Sequence, residues 1–255
     1  MKIDPTESFT HLPRAPIVEA VIGIVTRAEV AWEEQTVSEK LRAELPDYPN
    51  LRPQLEFQTE VNFNPGKPPE ARQRDLGWKG IRVQSADGLH IAQFNRDGFL
   101  FSRLQPYENW DQLRDEALRL WQIYSRLAQP TEAQRLGLRF INRIVLPVQE
   151  LDFEKYLKQH PVPPTGLDPL FVGFLHVDTL AIPGYAYTVN VIRTMQTPSD
   201  LQTAGLALIL DIDVVTTQPF QLSQNVLESR LAEMRWLKNK VFFSSITEHA
   251  LELFQ

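Results

Sequence analysis

The chain contains no cysteine, which excludes disulfides, thiolate nucleophiles and cysteine metal sites together. Such a composition suits a reducing compartment. Long apolar runs are lacking too, and none approaches the roughly 20 residues that span a bilayer. No apolar segment follows Met1-Lys2-Ile3-Asp4-Pro5, so no signal peptide is expected. The expectation is a cytoplasmic protein without membrane contact. Positive charge is also short: 16 basic against 19 acidic residues in positions 1–130, and 10 against 13 in positions 131–255. Phosphate backbones select concentrated positive charge, so nucleic acid is an unfavoured partner.

Catalytic spacing is equally scarce. His11, His90, His160, His176 and His249 show no His-x-His or His-Glu-x-x-His pattern, and no metal is expected from them. Ser102, Ser244 and Ser245 have no nucleophile-elbow context. The glycines around Trp78 and at Gly98 form no phosphate loop. No catalytic residue and no cofactor is assigned, and the reading is non-enzymatic.

What is present is ample core material, with 43% hydrophobic and 23% charged residues over 255 positions. The segment Phe94–Leu104 reads as strand around Asp97-Gly98, ended by Pro106. Asn109, with Gln112 three residues on, forms a cap pattern. Trp110, Leu113, Ala117, Leu120, Trp121 and Tyr124 then follow at spacings of three and four on one helix face. Before this unit, residues 1–13 form a polar lead-in and Ile17–Val25 a buried strand. Thr36–Leu45 reads as a helix and Leu55–Phe63 as an alternating strand. Asn64–Arg74 reads as a loop, and Gly77–Gln84 and Leu89–Phe94 as strands joined at Asp87-Gly88.

After Pro130 the order restarts. Leu136–Leu146 is a strand, Asp152–Gln159 a short helix and His160–Pro169 a Pro-rich connector. Phe171–Ile182, Tyr185–Thr194 and Leu206–Thr217 are three strands. A helix over Val226–Phe242 is capped by Asn225 and buries Leu227, Leu231, Met234 and Val241, and Thr247 caps a last short helix. Equivalent elements stand roughly 115–120 residues apart, which reads as an internal duplication. The expected fold is α+β: tandem β-α-β(3-4)-α units with antiparallel sheet, residues 1–130 and 131–255, packed as one unit. Two such units resemble the TATA-box-binding-protein architecture, an analogy of fold that carries no DNA function.

Polar residues inside these strands are the candidate site. Asp211 and Asp213 share one face of a strand, either as a divalent-metal pair or as partners of Arg139 and Arg143. No third acidic ligand accompanies them, which favours the paired reading. Glu19 lies in an apolar strand as a general acid or, more simply, as the partner of Arg103 or Arg82. Arg230, Arg235, Lys238 and Lys240 form the densest basic cluster, either a phosphate contact or a solvated helix face, and the solvated face is favoured. The aromatics Trp78, Phe94, Phe99, Phe101, Tyr107, Trp110 and Trp121 read as core.

The segments Leu12–Ala20, Phe101–Leu104 with Pro106, Tyr107 and Trp110, Leu138–Arg143, and Leu210–Asp213 together resemble a sporadically distributed bacterial family. Its members have about this length and are generally labelled proteins of unknown function. The resemblance spans nearly the whole chain and implies neither a reaction nor a cofactor. The family's patchy occurrence suggests accessory cargo, such as defence or toxin–antitoxin-like modules. Glu19, Arg103, Arg139, Asn142, Arg143, Asp211 and Asp213 are the polar members of these segments, forming either an ion-pair network or one polar pocket between the halves. Two functions follow as expectations: a regulatory protein engaging a protein partner or a second copy of itself, or a sensor of a small anionic ligand or nucleotide.

Overall fold

A computed structural model describes residues 1–27, 29–63, 66, 68–146, 152–166, 171–196 and 206–255. The chain runs β1 (Ile17–Thr26), α1 (Glu34–Glu44), β2 (Asn50–Asn62), β3 (Glu70–Gln84), β4 (His90–Asn95), β5 (Gly98–Leu104) and α2 (Trp110–Ala128). It continues with β6 (Glu132–Val145), a 3-10 turn over Phe153–Lys155, β7 (Leu175–Ala181), β8 (Thr188–Gln196), β9 (Ala207–Thr216), β10 (Phe220–Gln221), α3 (Gln224–Ser245) and α4 (Glu248–Glu252). The fold is α+β, with one antiparallel sheet of ten strands in the order β2-β3-β4-β5-β1-β6-β9-β8-β7 and β10 beside β6. Among the described residues no helix is long and apolar enough to cross a membrane.

The sheet is centred on the β1–β6 pair, where Ile22 faces Leu138 and Ala20 faces Phe140. Alternation decides the two faces, because successive side chains of a strand point opposite ways. Ala20, Ile22, Ile24, Phe99, Phe101, Leu136, Leu138 and Phe140 are buried on the face that meets the helices. On α2, Trp121 and Tyr124 pack on Phe99 at 5.9 Å each between ring centroids, and Tyr124 donates its hydroxyl to the Asn95 carbonyl at 3.1 Å. Each such large side chain, fully buried, contributes about 1.5–3 kcal/mol. The far face carries Glu19, Val21 and Gly23 of β1, all half-buried.

Local chemistry sets the helix ends as expected at α2, where the Asn109 side chain accepts from the Gln112 amide at 2.9 Å, and at α4, where Thr247 accepts from Ala250 at 3.2 Å. Elsewhere tertiary pairing moves the boundaries. β3 begins at Glu70, inside the expected loop, because Ala71, Arg72, Gln73 and Arg74 pair with the extended β2. β2 begins at Asn50 and includes Pro53, which an edge strand tolerates since its missing N–H faces no ladder. The α3 cap is Ser223, accepting from Val226 at 3.4 Å, and not Asn225. β10 ends the extended run just before it. Only a 3-10 turn forms in the expected helix over 152–159. Parts of the expected loop 64–74 and connector 160–169 lie outside the described residues.

Candidate functional site

The sequence-predicted residues divide between the two faces of the sheet. Glu19, Arg139, Arg143, Asp211 and Asp213 share the far face, while Arg103 and Asn142 point to the helix side. The register settles this: Arg103 pairs with buried Ala20, one position off Glu19. Glu19 therefore does not meet Arg103, and Arg82 lies three strands away on β3. Glu19 acts instead on Arg139, whose guanidinium is held further protonated first by its hydrogen bond to Asp211, then by the fields of Asp211, Asp213 and Glu19.

On the far face the arginines and aspartates satisfy one another. Arg139 grips Asp211 with both ends of its fork, Nε to Oδ1 at 2.8 Å and Nη2 to Oδ2, a planar bidentate match. Asp211 is 6% exposed, so this partner offsets most of its desolvation. Arg143 donates to Gln196 at 3.1 Å and meets neither aspartate. Asp213 turns instead to Arg135 at 3.5 Å, a pair that no sequence pattern indicated. Desolvation pushes the Asp213 carboxyl up, against the pull of Arg135 and Arg139. Gly137 makes room for this contact, since a Cβ there would stand 3.0 Å from the Arg135 guanidinium. Among the described residues no group of three or more histidine and carboxylate side chains is placed to hold a metal ion.

On the helix side the two residues have different neighbours. Arg103 is 6% exposed and its Nη2 reaches Glu108 at 3.4 Å, while its Nη1 is buried without a partner among the described residues. Asn142 is 2% exposed, donates to the Leu210 carbonyl at 2.9 Å and lines a cavity of about 300 Å³.

That cavity sits where the lead-in (residues 9–17), the start of α2 (residues 107–111), β6 and α3 converge. The α3 contribution is Arg235, Lys238, Asn239, Phe242 and Phe243, an i, i+3, i+4, i+7, i+8 set that one helix face presents together. Opposite stand Tyr107, packed edge-on against Phe140 at 5.7 Å, and Trp110. Phe9 closes one wall by stacking on Phe243 at 5.5 Å. The lead-in is held there by Glu7, which accepts from Trp236 Nε1 at 2.8 Å and Lys240 at 2.6 Å. These hydrogen bonds, Lys240 first, hold the Glu7 carboxyl below its usual range.

The basic cluster of α3 is therefore not a merely solvated face. Arg230 lies 4.3 Å from the Phe220 ring centroid, Arg235 5.4 Å from Trp110, and Lys238 4.0 Å from Phe140. Of the four cations, Lys240 has its carboxylate in Glu7. Lys238 has no hydrogen bond or ion pair among the described residues. Burial, then the positive charge of Arg235, pulls its pKa down to about 7. The ring face of Phe140 favours the ammonium and works the other way. As a residue Lys238 is half-buried and lines the cavity, so its desolvation is incomplete. Burial pushes the Tyr107 hydroxyl up, leaving it protonated across the ordinary pH range.

One signal for Lys238 was legible. The expected buried face Leu227, Leu231, Met234, Val241 advances by 4, 3 and then 7; buried Leu237 carries the apolar row across the gap, and Lys238 sits beside it, half-buried like Val241. A lysine bordering an apolar row is the one local mark. The partners Tyr107, Trp110 and Asn142 lie over 90 residues away in sequence, and no local pattern announces them. Comparison with protein-family models found none that matches the chain, and a search of curated proteins found no match.

Proposed function

We propose that the protein binds a small anionic ligand in the cavity between its two halves, residues 1–130 and 131–255. The observation that carries this reading is Lys238 of α3, an ammonium without a counter-charge among the described residues at the wall of an aromatic-lined cavity of about 300 Å³. A desolvated cation without a partner is costly, and an anionic group on a ligand removes that cost. Aromatic walls with a few convergent polar groups are what small-molecule sites are made of. Arg235 and Asn239 supply further donors at the same wall. Arg139 and Arg143, by contrast, already have partners on the far face. A nucleotide or an aromatic acid combines the required anion and ring.

The halves themselves support an internal duplication with a TATA-binding-protein-like plan. Outward from β1 the neighbours are β5, β4, β3, β2, and outward from β6 they are β9, β8, β7. Each half thus places its last long strand beside its first and its earlier strands further out.

The test is ligand-induced thermal stabilisation with inorganic phosphate, benzoate and nucleoside monophosphates as probes. At least one should raise Tm in the wild type, Lys238→Met should lose the rise, and Arg139→Ala should keep it. Equal stabilisation of Lys238→Met and wild type overturns the reading.

A second reading, engagement of a protein partner or a second copy, is favoured by one of the two outermost strands. β2 is a sheet edge of 13 residues whose Leu55, Phe57 and Val61 are 56%, 50% and 44% exposed. An unpaired edge with an apolar row is the surface to which another strand adds.

A further inference from the structure

We infer that Lys238 anchors its ligand covalently, its amine condensing with a carbonyl carbon of a 2-oxo acid to form an imine. The inference rests on the anion-binding reading and names the class of anion. Three observations lead to it. Lys238 lacks any acidic partner among the described residues, so its nitrogen is not tied up in a salt bridge. It projects from α3, beside the buried Leu237, over the Phe140 ring at 4.0 Å, which fixes the amine at the cavity wall. Arg235, one turn earlier on the same face, is itself laid on Trp110 at 5.4 Å.

Desolvation and a neighbouring cation are the two means by which a lysine becomes a nucleophile near neutral pH. Lys238 has both, and its depressed pKa agrees with the geometry. A ligand held only by charge would meet a better cation in an arginine, whose planar fork binds carboxylates bidentately. A lysine at the wall with an arginine beside it divides the work: Arg235 and Asn239 take the carboxylate, and Lys238 takes the carbon next to it.

The step balances without an oxidant or reductant. The neutral amine donates its lone pair to the carbonyl carbon, the carbonyl π pair moves to oxygen, and the proton shed by the nitrogen passes to that oxygen. The resulting carbinolamine loses one water as the C=N bond forms. Protonation of the imine nitrogen leaves a cation over Phe140, so the ring contact is kept throughout.

Reductive trapping tests this. The full-length protein is incubated with glyoxylate or pyruvate and cyanoborohydride at neutral pH, then digested and mapped by mass spectrometry. The expected result is one adduct per chain, at Lys238, formed at least tenfold faster than at any other lysine and absent from Lys238→Met. Circular dichroism and Tm establish whether this variant is folded. If it is not, competition in the wild type decides the question. Benzoate should then suppress the Lys238 adduct, and an undiminished adduct overturns an imine formed in the anion site. Trapping spread evenly over the lysines, or none at Lys238, overturns the imine as well. If phosphate or benzoate still stabilises the wild type in that case, the anion site stands without the covalent step. If nothing stabilises it, both fall.

Discussion

At the scale of single residues, the far-face charges and the helix-side lysine illustrate opposite answers to one cost. Arg139 and Asp211 settle their desolvation within the fold by a two-pronged hydrogen bond, and Asp213 settles it partly, its carboxyl remaining raised. Lys238 settles it only in part, over the Phe140 ring, and has no hydrogen bond or ion pair among the described residues. Its folded pKa, about 7, lies below the ordinary 10.5 of a lysine. Between those values the unfolded chain binds more protons than the folded one, so stability rises with pH across that window. Below it both states are protonated and the penalty is constant. Each pKa unit between the two states is worth about 1.4 kcal/mol, reduced here by the partial exposure of the residue and by Phe140. Urea unfolding from pH 7 to 9.5 should therefore show a gain of roughly 1–2 kcal/mol in wild type relative to Lys238→Met. Parallel pH profiles for the two proteins would contradict it.

At the scale of elements, glycines report which strands are hemmed in. Gly98 opens β5 with φ 153°, and a Cβ there would lie 2.4 Å from the Ile24 carbonyl oxygen of β1. Neither the backbone conformation nor the neighbouring main chain can yield cheaply. Gly23, in the middle of β1 on the far face, has nothing within 4 Å of the same position. Gly98→Ala should cost at least about 2 kcal/mol, whereas Gly23→Ala should lie within about 0.5 kcal/mol of wild type or gain slightly, since alanine loses less chain entropy. Chemical denaturation of both variants decides this, and equal costs would refute the close approach of the β1 main chain to Gly98. The same elements show how sequence patterns fail at boundaries. Arg72, Gln73 and Arg74 look like loop by composition but are strand by pairing.

At the scale of the whole molecule, the sheet has two ends and a middle with different roles. The middle is closed: β1 and β6 bury each other's apolar residues and support the cavity. The β2 end is open, with Leu55, Phe57 and Val61 facing solvent. If that edge recruits a strand, Phe57→Lys should abolish any dimer or complex seen by native mass spectrometry. It should leave Tm within a few degrees, because a half-exposed side chain contributes little to the core. An assembly that survives Phe57→Lys and Val61→Lys together would move the contact elsewhere.

The sequence by itself determined the α+β class and the buried faces of β1 and α2. It also determined the caps at Asn109 and Thr247 and the turns at Asp87-Gly88 and Asp97-Gly98. All of these depend on periodicity and on side chains acting within a few residues. It also singled out Glu19, Arg139, Asp211 and Asp213 as polar groups in apolar strands. Only the tertiary structure decided which of them meet. Strand register sends Arg103 and Asn142 to one face and Glu19 to the other, and a shift of one residue would reverse that. Only the tertiary structure, too, carried Tyr107, Trp110 and Asn142 to Lys238. A cavity is enclosed by elements distant in sequence, and no local pattern encodes the space between them.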